Sequence, residues 1–300
     1  MKRNPKTKGR STSSKSVLFL SDMHVGNENA VCSSNPTMKG GSYNPNKLQK
    51  KLYEMWCWVK DSLSNSNPHV IVLNGDIIDG PNSKQLGQQS WTTNITDQLD
   101  DAEKLLRMYK PKHFLMTRGS GYHVQKDATN HEEILANRLG CVPYSGYFGR
   151  SADKIMGYHD GKHLTARTDY YLNFSLNGKV FSVTHHIGFN RWFAYRTTAL
   201  AREMADMEFL RGRYWKPEDM PTVIVRSHVH YFVYVRFATQ HGFTTPAFKM
   251  PDAHLFKGGL GGTAPSLGGV EVIVESNGKV QVEPHIVSND VYPKHQILRL

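Results

Sequence analysis

Hydrophobic positions in this chain fall into short continuous runs separated by longer amphipathic stretches. Five apolar segments, Val17–Ser21, Val70–Leu73, His113–Thr117, Val180–Thr184 and Val223–Ser227, have the length and composition of buried strands. Runs such as Val70-Ile71-Val72-Leu73 show no polar alternation, as expected of strands covered on both faces. Two stretches of helical period lie between the first three. Lys47–Leu63 spaces Leu48, Leu52, Met55, Trp56 and Val59 along one face, and Asp97–Tyr109 does the same with Leu99, Ala102, Leu105 and Leu106. This β-α-β-α-β order predicts a parallel sheet with crossover helices.

The second half changes character. Leu172–Leu176 and Val180–Thr184 flank Asn177-Gly178, while Val270–Glu275 and Val280–Glu283 flank Ser276-Asn277-Gly278. Asn-Gly between apolar runs predicts a hairpin, because a type I′ turn needs positive φ at both central residues. A helix over Thr197–Tyr214 precedes the fifth strand, and Tyr231-Phe232-Val233-Tyr234-Val235-Arg236 alternates as an ordinary strand does. Residues 256–269 hold six glycines and read as a flexible loop; no helix follows, so a phosphate-cradling loop is not indicated. The expected whole is a mixed α/β domain over residues 16–288.

With 300 residues and 39% hydrophobic content, the chain has enough apolar material for one large core. Its net charge of +11 is uneven: residues 1–16 carry six basic residues and no acid, leaving +5 elsewhere. That Ser/Lys/Arg/Pro tail, residues 1–15, reads as a disordered solubilising arm, with residues 289–300 as a second tail. Phosphate-bearing partners, nucleic acid included, suit the basic balance. Val17–Leu20 is too short for a secretory signal, and no run is long enough to span a bilayer. The three cysteines, Cys32, Cys57 and Cys141, have no CxxC spacing, so a reducing cytoplasmic setting is expected.

The chemistry gathers where the strands end. They lead into Ser21-Asp22-Met23-His24, Asn74-Gly75-Asp76-Ile77-Ile78-Asp79, Arg118-Gly119-Ser120-Gly121-Tyr122-His123, His185-His186 and Ser227-His228-Val229-His230. Six of the 15 histidines occupy these ends, and the other nine scatter without such a pattern. Each piece alone has an ordinary explanation as a turn or surface residue. Ligands of open α/β sheets bind at the carboxyl ends of strands, so together these groups are expected to converge on one crevice. Imidazole and carboxylate without thiolate suit Mn²⁺, Fe or Zn²⁺. Two carboxylates leave a pair of divalent cations with a residual charge of about +2, which attracts a phosphate ester.

In this order the motifs resemble those of the calcineurin-like metallophosphoesterase superfamily, over about residues 16–285. The resemblance implies a four-layer αββα sandwich, with two mixed sheets flanked by helices. It implies two divalent metal ions, Mn²⁺ foremost and Fe or Zn²⁺ as alternatives. Asp22, His24 and His230 would hold one ion and His185 and His228 the other, with Asp76 bridging. His186 competes with His185 for its place, and Asp79 either orients a ligand or is a solvated loop carboxylate. Two departures stand out. Ser227 replaces the glycine that usually precedes the last His-x-His. In the third motif, usually Gly-Asn-His-Asp/Glu, Gly119-Ser120-Gly121-Tyr122-His123 keeps a histidine and lacks the asparagine ligand, as in phage-type variants. Ser120, a backbone carbonyl or water is then left to replace it. Asn130-His131-Glu132 matches the missing string, but it precedes a helical pattern, so Thr129-x-x-Glu132 is read as a capping box.

The implied activity is hydrolysis of phosphate mono- or diesters by a hydroxide bridging two metals. His123 serves the leaving oxygen, and Arg118 contacts substrate phosphate or forms a surface salt bridge. Nuclease activity within the same superfamily is the alternative, and a non-catalytic metal-binding scaffold a further one.

Overall fold

Burial on both faces is what turns the apolar runs into strands. The computed structural model describes residues 14–64, 67–82, 87–126, 129–144, 166–209, 216–252 and 264–287. Strands β1 (Lys15–Leu20), β2 (Val70–Asn74), β3 (His113–Thr117) and β4 (Thr168–Asp169) run parallel, side by side. β5 (Tyr171–Leu176) and β6 (Lys179–Thr184) form a hairpin, and β7 (Val223–Arg226) lies parallel to β6. β8 (Tyr234–Arg236) pairs with β9 (His241–Thr244), which is parallel to β7. β10 (Gly268–Val274) pairs antiparallel with both β1 and β11 (Val280–Ile286). Among the described residues two large sheets result, six strands in the order β11-β10-β1-β2-β3-β4 and five in the order β8-β9-β7-β6-β5, beside two small two-stranded ribbons.

The helices are α1 (Lys47–Ser62), α2 (Ile95–Leu106), the single turn α3 (Gly121–Val124), α4 (His131–Leu139) and α5 (Thr198–Phe209). Alternate residues of one strand serve different layers, because side chains alternate across a sheet. Leu18, Leu20, Ile71 and Leu73 pack under Leu52, Trp56 and Val59 of α1, with Leu99 and Leu105 of α2 and Leu135 of α4 in the same cluster. Val17, Phe19, Val70 and Val72 face the other way and meet Phe174, Phe181, Val183, Val225 and Phe243 of the second sheet. There Phe181 stacks on Phe174 at 4.6 Å, and Phe19 meets Phe243 edge-on at 5.4 Å. Leu200 and Met204 of α5 close the far side over Ile224. These are the four layers of the expected αββα sandwich.

Several local expectations shift. The Asn177-Gly178 turn has positive φ at both residues, as type I′ requires. At Ser276-Asn277-Gly278 only Gly278 does, so this hairpin closes through a longer loop rather than a two-residue turn. Gly268 and Gly269 are not loop: they open β10, opposite Ile286 and His285. Residues 256–263 of that expected loop lie outside the described residues, as do residues 210–214 of the expected third helix, 1–13 of the basic tail and 289–300. Lys15 already belongs to β1. Of Tyr231–Arg236, only Tyr234–Arg236 is strand; Tyr231 is buried. α4 is capped by Asn130, not Thr129, since Asn130 Oδ1 accepts the amides of Glu132 and Glu133. The Glu132 side chain, expected to complete a capping box, points elsewhere. Cys32 and Cys141 are buried and free of disulfides.

Candidate metal centre

Parallel register brings the strand ends level. Leu20 lies beside Leu73 and Asn74 beside Thr117, so the next residues of β1, β2 and β3 emerge together. Pairing continues into the loops: the Asp22 amide donates to Gly75 O at 3.1 Å, and the His24 amide to Asp76 O at 3.0 Å. In the second sheet the Ser227 amide donates to His185 O at 2.9 Å. Close approach requires glycine where two of these loops touch. A Cβ on Gly119 would collide with the Asp76 carboxylate and amide, and one on Gly75 would lie 2.6 Å from Gly119 Cα and 2.7 Å from His185 Nδ1.

Backbone conformation marks the same residues. Asp22, His24, Asp76, His228 and His230 all have positive φ, between 46° and 72°. Non-glycine residues in that region cost roughly 1–3 kcal/mol each and persist only where the surroundings enforce them. Five of the six residues expected to hold metal therefore carry backbone strain, which local propensity does not explain.

Their side chains converge. His24 Nε2 and His230 Nε2 are 3.3 Å apart, and Asp22 Oδ1 lies 3.2 Å from His230 Nε2 and 3.9 Å from His24 Nε2. On the other side, His185 Nε2 lies 3.0 Å from Asp76 Oδ2 and 3.9 Å from Asp22 Oδ1. The His185 ring faces that of His228 at 5.3 Å. Asp22 Oδ1 and His185 Nε2 are sealed from solvent, yet these close contacts do not amount to hydrogen bonds. Buried atoms of this kind demand a partner, and two imidazole nitrogens facing each other share a cation or a proton. The donor set of carboxylate oxygens and imidazole nitrogens fits divalent cations.

Each group is held from behind. His185 Nδ1 donates to Asn74 O at 2.7 Å, which leaves Nε2 facing the centre. Asp22 Oδ2 accepts from Ser21 Oγ at 2.7 Å and from the His228 amide at 3.2 Å. Ser227 stands where the family pattern has glycine. Its hydroxyl lies 2.5 Å from Thr245 Oγ1, accepts from Asn74 Nδ2 at 2.6 Å, and so joins the ends of both sheets. Asp79 is fully buried rather than solvated, with Oδ1 3.4 Å from His24 Nδ1 and 3.6 Å from His123 Nδ1. Such a carboxylate orients a histidine for a metal.

The electrostatics follow from this packing. Burial lowers the His24 imidazolium to about 3, helped by Lys249 and His123, so the ring is neutral and its lone pair free. Burial, reinforced by His185, likewise lowers His228 to about 4. Burial also disfavours charge on His185, but Asp76 and Asp22 outweigh it and hold that ring at about 10. Burial alone would raise the Asp22 and Asp76 carboxyls. His230 and His185 reverse this for Asp22, and His185 and His123 for Asp76, leaving both below the ordinary range.

In the altered third motif, the Ser120 amide and hydroxyl donate to the two oxygens of Asp76 at 2.7 and 3.0 Å. Ser120 Oγ also lies 3.4 Å from His228 Nδ1, between Asp76 and His228. His123 is buried on α3, with Nδ1 2.6 Å from Asp79 O and its ring 4.5 Å from that of His24. It therefore sits on the Asp22–His24–His230 side. His186 is exposed beside His228, with ring centroids 4.7 Å apart, whereas His185 is the buried member of the pair.

Arg118 Nε donates to Thr168 Oγ1 at 3.1 Å and its guanidinium lies over the Tyr170 ring, on the flank of β4. Glu132 is the residue that sequence reasoning placed wrongly. Fully buried, it accepts the Ile77 amide at 2.9 Å and the Gly119 amide at 2.8 Å, bracing the loops that carry Asp76 and Ser120. Burial, with Asp76 adding to it, raises its carboxyl to about 8. The Asn-His-Glu string was the signal, but its meaning is structural. Lys249, also buried, lies 2.8 Å from Asp252 and 3.9 Å from Asp79, and nothing in the sequence singled it out.

The calcineurin-like phosphoesterase family model matches residues 15–242, which contain Asp22, His24, Asp76, His185, His228 and His230. The chain belongs to that family. No curated protein matches it significantly. Among solved structures it is similar to Vps29 from Entamoeba histolytica complexed with Zn²⁺, at 10% identity, TM-score 0.36, and 90% and 98% coverage of this and that chain. It is also similar to Chaetomium thermophilum Vps29, at 8% identity, TM-score 0.40, and 90% and 96% coverage. A novel archaeal phosphodiesterase matches at 8% identity, TM-score 0.40, and 90% and 99% coverage. Among the described residues, no helix is long and apolar enough to cross a membrane.

Proposed function

We propose that the protein is a hydrolase of phosphate mono- or diesters that works with two divalent cations, Mn²⁺ being the best suited and Fe or Zn²⁺ alternatives. The observation that carries this reading is the facing pair His24 Nε2 and His230 Nε2, 3.3 Å apart, beside the unpartnered Asp22 Oδ1. Asp22, His24 and His230 would hold one cation, and His185 and His228 the other, with Ser120 Oγ available in place of the family's asparagine and Asp76 available to both. Bound there, the cations supply Lewis-acid charge to phosphoryl oxygens and lower the pKa of water. The Asp79 carboxylate keeps the His24 ring in its ligating orientation. The Asp79 carbonyl holds the proton on His123 Nδ1, so His123 Nε2 is the atom that exchanges a proton with the leaving oxygen. Arg118 anchors β4 through Thr168.

Turnover of p-nitrophenyl phosphate and bis(p-nitrophenyl) phosphate with Mn²⁺ tests this. Asp76→Asn loses both turnover and bound metal, whereas His123→Ala keeps metal and loses turnover. Normal turnover by Asp76→Asn overturns the scheme. Retained metal with no turnover by the wild-type protein favours the scaffold reading.

A nucleic-acid substrate is a second reading, favoured by one surface. Trp192, Phe193 and Tyr195 are exposed in the segment that follows His186, and the Arg196 guanidinium lies 4.5 Å over the Tyr231 ring beside His230. Exposed aromatic side chains stack bases, and arginines meet phosphates. Mn²⁺-dependent cleavage of single-stranded DNA or RNA separates this reading from small-ester hydrolysis.

A further inference from the structure

A second set of ligand-type side chains meets the end of α1, sharing no residue with the centre described above. Glu271 on β10 and Glu283 on β11 are directly opposed in the antiparallel register, and His285 lies two residues further along β11 on the same face. Like charges directly opposite destabilise a strand pair, and Glu271 is fully buried. Glu271 Oε2 accepts the Ser64 amide at 2.9 Å and lies 3.3 Å from His285 Nε2. Glu271 Oε1 is buried with no hydrogen-bond partner. Glu283 Oε2 accepts from Ser64 Oγ at 2.6 Å. One donor atom from each of Glu271, Glu283 and His285 lies within 4.8 Å of the other two.

The C-terminal turn of α1 adds partial negative charge of its own beside the buried Glu271 carboxylate. The unsatisfied oxygen, the opposed acids and the neighbouring imidazole call for the same partner, a compact cation. We propose that Glu271, Glu283 and His285 form a further divalent-cation site, for which Zn²⁺ is the best-suited ion because the donors are one imidazole and two carboxylates. Ser62 Oγ, 3.0 Å from His285 Nδ1, engages the ring nitrogen away from Glu271 and orients Nε2 toward the ion. Ser62 and Ser64 carry the connection from the site to α1, so an ion there pins the edge hairpin β10–β11 to the helix layer. The site does not depend on the hydrolase reading.

The test is a zinc count on the full-length protein, dialysed against chelator-buffered micromolar Zn²⁺ and assayed by elemental analysis. His285→Ala and Glu283→Gln each bind one zinc per chain fewer than the wild type, lose part of the zinc-dependent rise in Tm, and retain phosphoester hydrolysis. Asp76→Asn lowers the count independently, so its combination with Glu283→Gln shows the sum of the two losses. If His285→Ala fails to fold, the near-isosteric Glu283→Gln decides. Zinc counts equal to wild type in the folded variants overturn the proposal, as does loss of zinc and hydrolysis together.

Discussion

Replacing Glu132 by glutamine separates the two ways this residue supports the centre. Its carboxyl accepts the buried amides of Ile77 and Gly119, one on each oxygen. Glutamine keeps one acceptor and turns its NH₂ toward the other amide, leaving that donor unsatisfied at a cost of about 1–3 kcal/mol. Charge works against this with a definite sign. Burial, with Asp76 adding to it, raises the folded-state carboxyl to about 8, above its unfolded value near 4.5. The folded protein therefore binds more protons than the unfolded chain between those values. This contribution is fully present below about 4.5 and is lost as pH rises through about 8, at up to about 1.4 kcal/mol per pH unit. Glutamine does not titrate, so its deficit relative to wild type is largest near pH 5 and shrinks steadily toward pH 8. Urea unfolding of both proteins across that range, with chelator present so that no cation neutralises Asp76, reads the difference as a shift in midpoint. A deficit that stays constant with pH refutes the reasoning, because Glu132 would then ionise as an ordinary exposed carboxylate.

Two further outcomes follow from the same geometry. Arg226 is buried and its Nη2 lies 2.6 Å from Glu203 Oε1 of α5; Glu203→Ala strands that charge and destabilises by about 3 kcal/mol. That figure is taken at the low end because the Glu203 side chain is partly exposed, and a urea midpoint unchanged by the substitution refutes it. Mn²⁺ binding to chelator-treated protein releases about one proton near pH 7, since His185, held at about 10 by Asp76 and Asp22 against its burial, must become neutral to ligate. Affinity then rises about tenfold per pH unit below that value, and calorimetric titrations in buffers of different ionisation enthalpy that show no proton release refute it.

Much of the architecture was legible along the chain because it rests on local pattern. The runs of β1, β2 and β3 declared burial on both faces, and the α1 and α2 stripes declared a helix layer, so a parallel sheet followed. β4 and β9 were missed: β4 is only two residues long, and His241–Thr244 offers too little periodicity to stand out. The motif-bearing strand ends were equally readable, because parallel strands deliver their carboxyl ends to one edge. Side-chain direction was not readable. His185 and His186 differ by one position, and the alternation of the backbone decides which is buried.

Residue order and chemistry alone thus determined a mixed α/β domain with a parallel sheet, the convergence of five loops, and a donor set of imidazoles and carboxylates; the αββα layering came from the family resemblance. Tertiary structure decided what each polar residue near that set does. Glu132, in a string that looks catalytic, turns inward to hold two amides. Arg118, one residue past a strand, is claimed by Thr168, and Ser227 joins a hydroxyl network between the sheets. Hydrophobic period depends on neighbours a few residues away, so it can be read along the chain. The partner of a buried polar group is chosen from across the fold, from residues tens to hundreds of positions distant, and only packing brings them within reach.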